Sequence, residues 1–252
     1  LGGEGERLGS LVIFNDVTDL RKMEDKLRKS DRLAAVGQLA AGMAHEIRNP
    51  LASISGSIQV LERELKLDDT AGKLMRIVLR ETGRLDALIT DFLLFARPAP
   101  RLRERFNLEK LIRDLAEIYR HRPEVQDKIE LVLEVENGLE MRTDPQLLRQ
   151  ILYNLFNNAV EAMPGRGRLI VRAAALESSE GRKTIEIQVE DTGPGVPDEI
   201  KDRIFDPFFT TRGGGTGLGL SVVYRIVEAM EGTINVEAGE RGGGRFVISI
   251  PA

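Results

Sequence analysis

Along residues 19–97 the apolar positions fall on helical spacing. Leu33, Val36, Ala40, Met43, Ile47, Leu51, Ile54, Ile58, Leu61 and Leu65 follow one another at steps of three and four, which predicts one long helix with a continuous apolar stripe. Leu74, Val78, Leu85, Leu88, Phe92 and Phe95 make a second stripe, and Lys66–Gly72 between them reads as a turn. An antiparallel hairpin of this kind cannot cover both stripes by itself, so the expected solution is a homodimer forming a four-helix bundle. Upstream, Leu20, Met23 and Leu27 begin a similar stripe, but the step from Leu27 to Leu33 is six residues, a phase slip that would strain a continuous coiled coil. Arg97-Pro98-Ala99-Pro100 ends the second helix and opens a semi-stiff hinge over 98–105.

From about residue 106 to 252 the pattern becomes mixed α/β. Asn107 is placed to cap a helix carrying Leu111, Ile112, Leu115 and Ile118, and Asp144-Pro145 reads as an N-cap followed by an N1 proline, opening a helix to about Met163. Strands are predicted over 128–136, 169–176, 184–190, 233–238 and 245–250, with a helix near 218–231. At the other end, Leu8–Phe14 reads as a lone strand, which cannot fold alone. It is either a cloning remnant or the last strand of an upstream domain.

Composition narrows the classes. Apolar residues are 42% of the 252, enough for a core, and 36 basic against 40 acidic residues give a net charge of −4, with no electrostatic reason to expect direct nucleic-acid binding. There is no cysteine and there are two histidines, which excludes disulfides, thiol catalysis and a His-rich metal site. No apolar run approaches the roughly 18 residues of a membrane span. Residue 1 is Leu and no signal peptide precedes it. The sequence therefore reads as a cytoplasmic piece of a longer protein, any inner-membrane anchor belonging to segments upstream.

Four constellations carry chemistry. His45, two residues from both Met43 and Ile47, lies about 200° around the helix from the stripe and so faces away from the bundle core. Gln38, Ala41, Gly42, Asn49, Ala52, Ser53 and Gly56 surround it with a shallow trough of mostly small side chains. It is either an ordinary exposed histidine or a nucleophile, with Glu46 able to fix its tautomer and Asn49 one turn on. Asn154 and Asn158, at i and i+4, are either a polar flank or a pair of neutral oxygen ligands suited to Mg²⁺. Asp191, at a strand end before Gly193 and Gly195, is either part of a plain turn or an acceptor for an exocyclic amine such as adenine's. Gly213–Gly219, directly before a helix, offers backbone N–H groups to phosphates without matching the P-loop pattern. Between the last two, Phe205, Phe208 and Phe209 read equally as lid anchors or a satellite core, and Arg212 could reach a terminal phosphate.

In this order the segments resemble the sensor histidine kinases of two-component systems, over about residues 30–252. His45-Glu-Ile-Arg-Asn-Pro-Leu51 is similar to the phospho-acceptor box, Asn154–Asn158 to the N box, Asp191–Gly195 and Gly215-Thr-Gly-Leu-Gly219 to the two glycine boxes, and Phe205–Phe209 to the F box. The wording is most similar to the nitrogen-regulation and pilin-regulation types. Val12–Thr18 more weakly resembles the closing strand of a PAS sensor domain, making 1–18 the remnant of such a domain. The resemblance implies a multidomain chain: a dimerisation and phosphotransfer hairpin over 19–97, then an α/β sandwich of the GHKL or Bergerat type over 106–252. It implies ATP and Mg²⁺ as cofactors, autophosphorylation of His45 through Nε2, and transfer to an aspartate of a response-regulator receiver. Glu46 would be general base or orienting carboxylate, and Asn49 would serve dephosphorylation of the partner. Asn158 would ligate Mg²⁺ with Asn154 beside it, and Asp191 would read adenine. Gly193, Gly195, Gly215, Thr216, Gly217, Leu218 and Gly219 would shape the nucleotide pocket and its lid. Arg212 as a phosphate contact extends the resemblance. Glu161 departs from it, standing where many relatives have a basic residue.

Overall fold

The computed structural model describes residues 44, 46–64, 69–96, 103–177, 183–212 and 215–251. The PAS-like stretch over 1–18, the phase slip near residue 30, and His45 lie outside the described residues, as do Gly213 and Gly214.

Two helices, α1 (46–64) and α2 (Asp69–Ala96), begin the described chain. Arg48, early in α1, bonds through Nε to Asp86 Oδ1 at 2.7 Å and through Nη2 to Thr90 Oγ1 at 3.3 Å, late in α2. That pairing is what an antiparallel hairpin requires. α2 starts at Asp69, so residues 69–72 are helix where the sequence predicts a turn; an acidic residue at a helix start complements the dipole. Ile47, Ile54 and Leu61 on α1 and Leu74, Val78 and Leu85 on α2 remain exposed in the single chain. Phe95 departs from the expected stripe: it is buried in the core of the α/β layer.

That layer is a five-stranded sheet in the order β2-β4-β5-β7-β6, formed by β2 (Ile129–Val135), β4 (Gly167–Glu177), β5 (Lys183–Asp191), β6 (Thr233–Ala238) and β7 (Gly244–Pro251). The β2–β4 pair is parallel and the other three pairs are antiparallel. Helices α3 (Leu108–Arg120), α4 (Pro145–Ala162) and α5 (Gly219–Ala229) cover one face. Alternation explains it: Ile185, Ile187 and Val189 on β5 and Phe246, Ile248 and Ile250 on β7 are buried against Leu148, Ile151, Leu152 and Leu155 of α4 and Val222, Val223 and Ile226 of α5. The opposite face carries polar side chains in ion pairs, Arg168 with Glu130 and Arg172 with Glu134. The chain is thus a helical region followed by a two-layer α/β sandwich, as expected.

Both predicted caps form. Asn107 Oδ1 accepts the Lys110 N–H at 2.7 Å. Asp144 Oδ1 accepts from Gln146 at 2.9 Å and Leu147 at 3.4 Å, with Pro145 at the helix start. The sequence reading missed a small antiparallel sheet, β1 (Glu104–Asn107) with β3 (Glu140–Thr143). These four-residue strands lack an apolar alternation; one buried methionine, Met141, and the ion pair Arg105–Glu140 mark them. β1 also takes residues 104 and 105 out of the expected hinge, of which 98–102 lie outside the described residues.

Asp144 is buried and caps the helix that carries the asparagines. Asp144→Ala is expected to lower stability by about 1–2 kcal/mol, read as a shifted urea midpoint with an unchanged slope.

Candidate functional site

A cleft of about 550 Å³ opens between α4, the loop after β5, the start of α5, the segment after Phe209, and α2. This is within the range of small-molecule sites. It gathers Asn154, Asn158, Asp191, Gly195, Arg212, Gly215, Thr216, Gly217 and Gly219 from segments far apart in sequence.

Asp191 is the last residue of β5 and is buried. Its Oδ1 accepts the Gly193 N–H at 2.8 Å and the Gly244 N–H at 3.4 Å, while Oδ2 makes no hydrogen bond among the described residues. Burial pushes this carboxyl above its ordinary range, and the two amides and Arg212 pull it partly back. Gly195 takes φ +74°, and a Cβ there would stand 2.9 Å from the Gly242 carbonyl oxygen, so the loop accepts only glycine at this close approach.

On α4, Asn154 is buried and its Nδ2 donates to the Gly219 carbonyl at 3.2 Å, tying the helix to the first residue of α5. Asn158 is different. Its Nδ2 is buried with no partner, although the side chain borders the cleft. A buried N–H₂ without a partner at a cleft wall is a donor placed for an acceptor such as a phosphate oxygen. No group of three or more His, Cys, Asp or Glu side chains able to hold a metal occurs among the described residues. A carboxamide oxygen with few other protein ligands fits Mg²⁺ that takes its remaining ligands from phosphates and water.

The F-box phenylalanines split between the two roles. Phe205 and Phe209 pack against the core, and Arg203 stacks 4.5 Å over the Phe209 ring. Phe208 is 65% exposed with φ +65°, a conformation that is costly for a bulky residue. Its N–H donates to the Gly217 carbonyl at 2.9 Å, and a Cβ at Gly217 would overlap the Phe208 backbone. This clasp pins the segment beside the cleft. Arg212 pairs with Glu161 at 2.6 Å and donates to the Asn158 carbonyl at 3.2 Å, so its guanidinium sits at the Asn158 end of the cleft, opposite the departure noted at Glu161.

Two predicted pocket residues do not line the cleft. Leu218 is buried and gives its N–H to Thr216 Oγ1 at 3.2 Å. Gly193 packs on Ala162, whose carbonyl oxygen a Cβ would meet at 2.9 Å. On α1, Glu46, Asn49, Ala52, Ser53 and Gly56 are exposed.

The sequence reading missed the α2 wall. Arg84, Leu88, Thr90 and Asp91 border the same cleft, and Gln150 Nε2 of α4 donates to Asp91 Oδ1 at 3.1 Å. Burial pushes Asp91 up to about 6 against the opposing effect of that hydrogen bond. No local pattern marked it, because a carboxylate beside a helical stripe looks like any solvated flank.

Known proteins place the chain. Residues 35–100 match the family model of the His Kinase A (phospho-acceptor) domain, and residues 143–252 match that of the histidine kinase-, DNA gyrase B-, and HSP90-like ATPase. The solved histidine kinase ThkA, in complex with response regulator protein TrrA, is 30% identical with a TM-score of 0.61, covering 94% of this chain and 68% of that one. The chain belongs to the two-component sensor histidine kinases. Full-length ShkA in complex with AMPPNP is 33% identical with a TM-score of 0.71, over 85% of this chain and 45% of that one. Among curated relatives, the signal transduction histidine-protein kinase AtoS of Escherichia coli (strain K12) is 35% identical over 98% of this chain. Sporulation kinase E of Bacillus subtilis (strain 168) is 35% identical over 96%. This histidine kinase chain spans 40% and 32% of their respective lengths.

The raised Asp91 carboxyl fixes a sign. A group whose acid form is favoured in the packed structure supports that structure fully below its ordinary value near 3.8 and ceases to as pH rises through about 6. Between about pH 4 and 6 the chain should lose thermal stability relative to Asp91→Asn, whose amide cannot ionise, with the difference constant above that range. Parallel Tm profiles for the two proteins would contradict this.

Proposed function

We propose that the chain binds Mg²⁺-ATP in the cleft, phosphorylates His45, and passes the phosphoryl group to an aspartate of a response-regulator receiver domain. The observation that carries this reading is the pairing, within one cleft, of the buried Asp191 carboxylate with an open Oδ2 and the orphaned Asn158 amide near Arg212. One end offers an acceptor for the adenine amino group; the other offers the free Asn158 N–H₂ as a donor, the oxygen of the same carboxamide as a hard ligand, and a cation for phosphates.

Asn158, with Asn154 beside it, would hold Mg²⁺, which when bound neutralises charge between the phosphates. Gly215, Thr216, Gly217 and Gly219 form the backbone wall along the phosphates, and Arg212 is close enough to Asn158 to exchange its Glu161 partner for a phosphoryl oxygen. Phosphoryl transfer has a loose transition state, so the site contributes mainly position and charge. The unprotonated ring nitrogen of His45, Nε2, forms a bond to the γ-phosphorus while the bond to the β-phosphate oxygen breaks and ADP leaves. Glu46 accepts the N–H of the other ring nitrogen and takes up its proton. The P–N bond then breaks as a receiver carboxylate oxygen receives the phosphoryl group. The exposed small face of Asn49, Ala52, Ser53 and Gly56 gives a receiver room to approach, and Asn49 serves to orient the water that removes the phosphoryl group from the regulator.

The exposed Ile47, Ile54, Leu61, Leu74, Val78 and Leu85 support a homodimer through a four-helix bundle, since contiguous apolar surface of this kind is normally covered. No helix among the described residues is long and apolar enough to cross a membrane. A cytoplasmic setting, with any inner-membrane anchor upstream, remains part of this proposal.

Incubation with Mg²⁺ and γ-labelled ATP is expected to place acid-labile phosphate on His45, and neither His45→Ala nor Asn158→Ala should incorporate more than about a tenth of it. Steady phosphate release without labelled protein would instead identify an ATPase. Asn49→Ala should retain autophosphorylation and lose phosphatase activity toward the regulator; equal loss of both would refute that division of labour.

A further inference from the structure

Glu190 precedes Asp191 on β5 and points to the opposite face of the sheet, yet it is 1% exposed. A carboxylate this deep is retained only with partners. Arg172 Nη1 donates to its Oε2 at 2.8 Å, and the same guanidinium donates through Nε to Glu134 at 2.7 Å. The remaining oxygen, Oε1, accepts the backbone N–H of Glu240 at 2.9 Å. Glu240 belongs to the turn between β6 and β7, closed by the Gly242 N–H donating to the Gly239 carbonyl at 3.1 Å and the Gly239 N–H donating to the Gly243 carbonyl at 2.7 Å.

That turn is one wall of the Asp191 site. A Cβ on Gly243 would overlap the Asp191 carbonyl oxygen, the Gly244 N–H reaches Asp191 Oδ1, and the Gly242 carbonyl limits Gly195. Among the described residues the turn has no other buried carboxylate holding it: Arg245 reaches Glu240 at 3.7 Å and Glu237 at 3.3 Å, both partly in solvent. Glu190 does not itself border the cleft.

We propose that Glu190 is a positioning residue for nucleotide-base selectivity: by holding the Glu240 N–H it seats the 239–243 turn, and the turn aims the Asp191 carboxylate at the base. The inference rests on the reading that the cleft takes ATP with Asp191 at the adenine amino group. Guanine presents a carbonyl where adenine presents that amine, so a displaced carboxylate loses discrimination as well as affinity. Glu190 acts with its charge matched by Arg172, and the neighbouring negative charge also contributes to keeping Asp191 above its ordinary range.

The test is equilibrium binding of Mg²⁺-ATP and Mg²⁺-GTP to the whole chain, together with autophosphorylation kinetics. Glu190→Ala should weaken ATP binding by about tenfold and shrink the ATP-over-GTP ratio by a similar factor, raising KM with kcat within about twofold. Glu190→Gln, which keeps an acceptor for Glu240, should recover most of the ratio. Because Glu190→Ala leaves Arg172 unpaired and could unfold the sheet, Glu240→Pro gives a second reading. Position 240 is the first inner residue of the Gly239–Gly242 turn, where proline fits, and the change removes the donated N–H together with the long, part-exposed Arg245 ion pair, which Glu240→Gln removes alone as the control. A Glu240→Pro protein with the wild-type ATP-over-GTP ratio would overturn the inference. If Asp191→Ala also left the ratio unchanged, the adenine reading itself would fall; if Asp191→Ala collapsed it while Glu240→Pro did not, the role of Glu190 alone would.

Discussion

Burial of one carboxylate at the end of β5 governs the catalytic half of this chain. Asp191 can be buried because the Gly193 and Gly244 amides converge on Oδ1. Those amides can converge only if the loop after β5 and the turn before β7 both close in tightly. The constraint then spreads. Gly195 must adopt positive φ, Gly243 must carry no side chain, and the turn must be held from beneath by Glu190. The five-stranded sheet supplies the registry: Glu190 lies opposite Arg245, and Gly244 begins β7, so the turn emerges next to Asp191.

The second end of the cleft is built on a helix rather than on loops. α4 presents Asn154 and Asn158 one turn apart because Ile151, Leu155 and Ala159 anchor the adjacent face in the core. Asn157 is fixed differently, accepting from Tyr119 Oη at 2.6 Å and from Arg122 at 3.0 Å while the Arg122 guanidinium lies 3.9 Å over the Tyr119 ring. Three neighbouring asparagines therefore have separate assignments: one joins α4 to α5, one braces α4 against α3, and one is left without a partner at the cleft. The last has a buried N–H₂ free to donate to a bound group, and its carboxamide oxygen is the atom to which the metal reading attaches.

Much of this was legible in sequence where a local rule determines the outcome. Asn107 and Asp144-Pro145 mark helix starts because a cap acts within three residues, and the strands with strict alternation fall close to their predicted limits. Asp191 and Asn158 stood out through the family's boxes and lie in one cleft. What was not legible depends on tertiary pairing. The β1–β3 sheet has no period of its own, Phe95 belongs to the helical stripe by spacing but to the sandwich core by packing, and Leu218 sits in a glycine box yet is buried away from the cleft. Glu190 reads as an ordinary charged residue in an alternating strand, and only the turn folded over it shows why it is buried.

The α2 wall links the two halves through polar contacts. Asp91 accepts from Gln150, Gln150 also reaches Asn154 Oδ1 at 3.5 Å, and Asn154 donates to the Gly219 carbonyl. These contacts run in series from the helix that pairs with α1 to the residue where α5 begins beside the glycine-rich wall. A rigid displacement of α2 along α4 must stretch the first link, and the buried Asp91 carboxylate then regains water while Gln150 is released to compete for Asn154. Burial of Asp91 makes that link weak at neutral pH, since a half-buried carboxylate with a single amide donor recovers little of its lost hydration. A contact that is formed but inexpensive to break is compatible with the proposed transfer to His45, in which the α/β layer would leave this position on α2. It also explains why the polar chain crosses the interface at Asp91 while the neighbouring Leu88 and Ala87 supply the apolar remainder of the wall.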